Sequence, residues 1–191
     1  DLGDMTLELE YFGAGSRGEA GMVARIPQLE LVLSGRLLFH EQHMLPYLNA
    51  LPWQDLDIPR TLRVLDEIIA DEEHVKTVIV TSGPWSLQEI KARRRYMGDL
   101  WHEVQEVVER GASLAQAQQE LTIDARFPYI KDWQVWQNRG AEWCTEEHTG
   151  NVARFWGQFQ EWGAREVLRA CRESGAEAAL AKYAEVTGDG S

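Results

Sequence analysis

Cysteine is nearly absent: Cys144 and Cys171 are the only two in 191 residues. Two thiols without motif spacing exclude a disulfide framework and a cysteine-built zinc site, and they are expected to be free and mostly buried. Long apolar runs are missing too. No stretch approaches the roughly 18 residues of a membrane-spanning helix. Basic residues are scarce, with 19 Lys and Arg against 31 Asp and Glu and a formal charge of −12. That balance opposes binding to nucleic acid or to an anionic membrane and favours solubility. No secretory signal peptide is present, so a cytoplasmic protein is the expectation. The chain opens on Asp1 rather than Met, which leaves room for a native N-terminus upstream. No internal repeat or low-complexity tract occurs.

What is present is globular in composition, 44% apolar and 26% charged. A chain of this size makes one domain, or one domain with an appendage, and buries roughly 70% of its unfolded surface without covalent staples. Tryptophan is abundant, eight in all, and Trp101, Trp133, Trp136, Trp143, Trp156 and Trp162 fall in the second half. These suggest an aromatic helix–helix core or an interface, and a pocket lined by them could hold a hydrophobic ligand.

The first half reads as short strands and turns. Thr6 to Phe12 alternates with period two, and Gly13 to Gly21 holds enough glycine to predict a loop. Met22 to Ile26 and Leu29 to Leu33 flank Pro27-Gln28 as a hairpin. His40 to Asp57 is read as irregular. Ile58 to Ala70 has the apolar spacing of an amphipathic helix with Pro59 in its first turn, and Lys76 to Val80 is a buried strand. Strand, helix and strand at this spacing predict a crossover unit.

From Ser86 the period becomes helical. Ser86 and Glu89 form a capping box ahead of a helix ending at Gly111, and Ser113 and Gln116 open a second, short helix to about Leu121. After the break at Phe127-Pro128, helices are expected over Tyr129 to Asn138, Glu142 to Trp162, Arg165 to Glu173 and Ala176 to Glu185. The basic run Arg93-Arg94-Arg95 is expected on a solvated helix face, paired with acids such as Asp99.

Three segments carry a resemblance. Gly13-Ala14-Gly15-Ser16-Arg17, Leu33-Ser34-Gly35-Arg36-Leu37-Leu38-Phe39 and Val80-Thr81-Ser82-Gly83-Pro84 are similar to loops reading roughly G-x-x-H-T, F-T-G-D-L-L-F and P-G-H-G-P. Those are the metal-ligand loops of the metallo-β-lactamase-fold hydrolases. The stretches TLRVLDEIIADEEHVKTVIVTSGP, SLQEIKARRRYMGDLWHEVQEVVERGASLAQAQQEL and EEHTGNVARFW resemble further parts of that family in the same order. The resemblance implies an α/β fold. Residues 1–85 would form the C-terminal half of a metallo-β-lactamase-like sandwich, a half-sandwich of mixed sheet and flanking helices, and residues 86–191 a helical region.

It also implies what the chain has lost. Ser16, Arg36 and Ser82 stand where the family has His, Asp and His as metal ligands, and nothing like its H-x-H-x-D-H motif occurs. A hydroxyl is a poor zinc ligand, and a guanidinium repels a dication. The expectation is a non-catalytic protein without metal or other cofactor, acting by binding or assembly. Half of a sandwich would expose the inner face of its sheet, so a homodimer or a partner covering that face is expected.

The alternatives are a zinc-dependent hydrolase, or part of one, with a non-standard site, and a binder of small hydrophobic ligands. For the hydrolase the candidate metal ligands are His40, His43 and His148. His40 and His43 lack H-E-x-x-H spacing and read as exposed loop residues, while His148 reads as a polar packing residue. His74 and His102 sit among charges and carry no constellation. The glycine-rich segment around Ser16 has neither P-loop nor dinucleotide spacing.

Overall fold

The computed structural model describes residues 3–14, 20–35, 38, 58–80 and 83–160. Among these residues five short strands form one mixed sheet in chain order: β1 (Glu8–Ala14), β2 (Ala20–Ile26), β3 (Leu31–Gly35), β4 (Thr77–Val80) and β5 (Gly83–Ser86). Neighbours are antiparallel except β3 and β4, which are parallel. The parallel pair is joined through α1 (Ile58–Ala70), as the strand–helix–strand spacing predicts. The fold is therefore α/β.

Register sorts the strand residues onto two faces. Glu8, Arg25, Val32, Val78 and Trp85 lie in one row across the sheet. Val32, Val78 and Trp85 of this row are buried, and α1 covers the same side with Val64, Leu65 and Ile68. Leu9, Ala24, Leu33, Ile79 and Pro84 form the next row and face the other way.

Among the described residues five helices follow β5: α2 (Leu87–Glu109), α3 (Leu114–Glu120), α4 (Ile123–Arg126), α5 (Gln134–Arg139) and α6 over residues 141–160. Both predicted capping boxes are formed. The Ser86 and Ser113 side chains accept from the backbone N–H of Glu89 and Gln116, whose side chains bond back. Replacing Ser86 with Ala is expected to cost about 1 kcal/mol of stability, read from the urea midpoint at unchanged slope. Gly111, just past α2, has φ 73°, the left-handed geometry that ends a helix without a Cβ penalty.

One cluster of buried apolar side chains runs from the sheet through α1 and α2 to Phe127, Ile130, Val152 and Phe155, so packing is continuous across residue 85. A hydrogen bond spans the same boundary: the Ile58 N–H, at the start of α1, donates to Gln158 Oε1 of α6 at 3.4 Å. Among the described residues no helix is long and apolar enough to cross a membrane.

Three expectations need correction. The Gly13 to Gly21 loop is shorter than predicted, because Gly13 pairs with Gly21 and Ala14 with Ala20 beyond an irregularity at Tyr11. Gly83 to Ser86 is a strand, not part of a loop, held by antiparallel pairing to β4. Tyr129 to Asn138 is not one helix. Pro128 to Asp132 form a 3-10 turn, and Trp133 in an extended conformation separates it from α5. The helices expected after Trp162 and the irregular reading of His40 to Asp57 lie outside the described residues.

Candidate functional site

Ser16, Arg36, Ser82, His40 and His43 all lie outside the described residues. The strands that lead to the first three do not. β1 and β3 are each antiparallel to β2, and β3 is parallel to β4, so β1, β3 and β4 run in one direction. They end at Ala14, Gly35 and Val80, with carboxyl termini on one edge of the sheet. Ser16, Arg36 and Ser82 follow these ends in sequence by two, one and two residues. The carboxyl ends of strands are where open α/β sheets place ligand sites.

His148 is described, and it is 1% exposed on α6. Nε2 lies 2.5 Å from the Leu121 carbonyl and Nδ1 lies 2.9 Å from Tyr96 Oη. A carbonyl can only accept, so the ring proton sits on Nε2 and Nδ1 accepts from the phenol. Asn151 Nδ2 donates to the same phenol oxygen at 3.1 Å. Both ring nitrogens are thus engaged by the protein, and as folded the ring offers no lone pair to a metal. Leu121 is the C-cap of α3, so His148 satisfies a helix-terminal carbonyl and ties α3 to α2 and α6. Burial lowers the His148 pKa to about 4, only partly opposed by the Leu121 carbonyl. Burial also holds the Tyr96 phenol protonated far above its ordinary range. The ring of Phe127 packs 4.7 Å from His148 and 5.9 Å from Tyr96.

The basic run does not form one solvated face. Arg94 pairs with Asp66 through Nε at 2.6 Å, and Arg95 lies 3.7 Å from Asp99 and over the Tyr129 ring. Arg93 departs from the expectation: it is 1% exposed and stacks on Trp85 of β5 at 3.7 Å. A guanidinium can be buried this way because its weakly hydrated plane suits an indole face.

Cys144 is free and buried, with its thiol pKa raised by burial and by Glu147. Cys171 lies outside the described residues, as does Trp162. Trp101, Trp133, Trp136, Trp143 and Trp156 are half-buried and pack against the apolar cluster, Trp101 stacking on Phe159 at 4.2 Å.

A shallow surface cavity of about 250 Å³ lies between Glu8, Arg25, Leu31, Asp71, His74 and Val75. Arg25 donates to Asp71 at 2.9 Å, and the His74 ring bonds the other Asp71 oxygen at 2.8 Å. No Ser, Thr, Cys or Lys side chain lines it. His102 pairs with Glu106 on the α2 surface. Among the described residues no group of three or more His, Cys, Asp and Glu side chains is gathered as a metal set.

The largest unsatisfied feature is apolar. Leu9 is 62% exposed, Tyr11 65%, Met22 48% and Leu7 43%. Tyr11 pairs with Met22 in register, on the same sheet face as Leu9. The remainder of that face, Ala24, Ile26, Leu31, Leu33, Thr77, Ile79, Pro84 and Ser86, contains no charged side chain.

No protein-family model matches the chain, and comparison with curated proteins finds no match.

Proposed function

We propose that this protein is a metal-free, non-catalytic protein of the metallo-β-lactamase type, acting by binding or assembly through the uncharged face of its sheet. The observation that carries this reading is the donor set at the carboxyl ends of β1, β3 and β4. Ser16, Arg36 and Ser82 do not fit zinc. Hydroxyls compete poorly with imidazole and carboxylate, and Arg36 would place a fixed positive charge beside a dication. The order of the elements supports the resemblance, since three strands of one direction lead to the three altered loops. The surface this reading assigns to binding is the uncharged sheet face, where Leu9, Tyr11 and Met22 are exposed. Exposed apolar side chains gathered on one sheet face support an interaction site there.

Metal content tests the reading directly. After incubation with zinc and desalting, elemental mass spectrometry is expected to find under about 0.1 zinc per chain, since a site lacking deprotonatable ligands gains little from binding. One or two zinc ions per chain would sink the reading and return attention to a hydrolase using His40 and His43.

A further inference from the structure

β1 is an outer strand of the sheet. It pairs with β2 on one side, and among the described residues no strand lies on the other. Alternate N–H and C=O groups along Glu8 to Tyr11 therefore face outward, a row that an added strand can bond. Side chains along this edge are sorted by face. Glu8 and Glu10 are exposed on the α1 side of the sheet, and Leu9 and Tyr11 are exposed on the other. We infer that this edge takes an extended polypeptide segment in which basic and apolar residues alternate, added as a strand beyond β1. The inference rests on the binding reading above and names the chemistry of the partner.

Charge selects that partner. Around the α1 side of β1, the carboxylates of Glu8, Glu10, Glu67 and Asp71 meet the guanidiniums of Arg25 and Arg63. Arg25 donates to Asp71 at 2.9 Å and stands 3.9 Å from Glu10. The Glu67 carboxyl is held above the usual carboxylate range, first by burial and then by Glu10 beside it. Negative charge is in excess, so a Lys or Arg opposite Glu8 or Glu10 is favoured and a carboxylate there is not. A second copy of the chain brings its own Glu8 and Glu10, so like charges oppose pairing of this edge with itself. An edge that is only protected from pairing is commonly blunted by Lys or Pro. β1 contains neither, and it leaves Leu9 and Tyr11 in the open. Its Glu side turns acidic strands away, while its apolar side offers contact to the alternate residues of a basic one.

The regular part of β1 ends at Tyr11, before the register shifts at Gly13, so the paired stretch is short. Exposed ion pairs add only a few-fold each. The complex is therefore expected to be transient, with a Kd on the order of 100 μM.

The probe is a short peptide of alternating Lys and Val, titrated by NMR into the isotope-labelled full chain. The largest amide shifts are expected at Glu8 to Tyr11. A Glu–Val peptide of the same length is expected to bind about tenfold more weakly. So is the Lys–Val peptide N-methylated throughout, which keeps its charge and loses every backbone donor. Glu8→Lys combined with Glu10→Lys is expected to reverse the preference between the Lys–Val and Glu–Val peptides. Both side chains are exposed, so the variant is expected to keep the wild-type circular dichroism spectrum. If it does not, Glu8→Gln with Glu10→Gln serves instead, and is expected to erase the preference. Absence of shifts in β1 at millimolar peptide overturns the inference. Equal binding of the acidic or of the N-methylated peptide does so too, as does a preference that the substitutions leave unchanged. The metal-free reading fails separately, on zinc stoichiometry.

Discussion

Lowering the pH from 7 to 4 is expected to remove about 3 kcal/mol of stability through one side chain, His148. Its ring is buried and neutral in the fold, with a pKa lowered from 6.5 to about 4, chiefly by burial. In the unfolded chain the ring titrates at its ordinary value. The unfolded state therefore binds a proton that the folded state refuses between these two values. The contribution is whole above pH 6.5 and is lost as the pH falls from there to about 4. Protonation would also leave Nδ1 as a donor facing the Tyr96 hydroxyl, which then must give up its own donor role.

The measurement is unfolding free energy by urea at several pH values, for wild type and for His148→Gln. The 31 carboxylates titrate in both proteins, so the difference between the two curves isolates the ring. Wild type is expected to show the steeper fall between pH 6.5 and 4, by up to one bound proton. The variant starts less stable at pH 7, because Tyr96 and the Leu121 carbonyl lose a fitted partner. Parallel curves would mean the ring is not buried neutral in the fold.

The elements that were legible in the sequence are those whose determinants are local. The apolar spacing of Ile58–Ala70 with Pro59 in the first turn fixed α1 to the residue, and both capping boxes marked their helix starts. The β2–β3 hairpin was readable from Pro27-Gln28 between two apolar runs. β5 was not, since Gly83-Pro84 are poor strand formers and only pairing with β4 makes the segment a strand. The sequence puts Arg93 on a solvated face because periodicity records spacing along one helix and is blind to Trp85, which arrives from the sheet. Of the polar network only His148 is legible, as a polar packing residue, and its partners are hidden for a related reason. Tyr96 is 52 residues from His148 and 55 from Asn151, and no pattern links them. The stretch EEHTGNVARFW holds Asn151 and Phe155 as well as His148, and all three are buried. Ser16, Arg36 and Ser82 are singled out only through resemblance, and the topology brings the carboxyl ends of the strands leading to them to one edge of the sheet.

Replacing Phe127 with Ala is expected to cost about 3–5 kcal/mol, a large part of the 5–15 kcal/mol typical of a whole domain. Phe127 is fully buried just before the Pro128 break, with the Tyr96, Tyr129 and His148 rings around it at 5.9, 6.4 and 4.7 Å. Truncation leaves a cavity beside the polar network, and neighbours held by hydrogen bonds cannot collapse into it. How the loss is distributed matters more than its size. If residues 1–85 and 86–191 were independent units, the variant would loosen the helical region and leave the sheet untouched. The buried cluster is continuous from Val78 through Ile90 and Met97 to Phe127, and Gln158 caps α1 across the boundary. Unfolding is therefore expected to be one transition, with amide protection at Val78 and Val80 falling by the same free energy as in α2. Should the alanine variant be too unstable to fold, Phe127→Leu reports the same coupling at a cost of about 1 kcal/mol. Unchanged protection in β4 alongside weakened α2 would show two separate units, and the sheet would then have to hold its own core together with only α1 over one face.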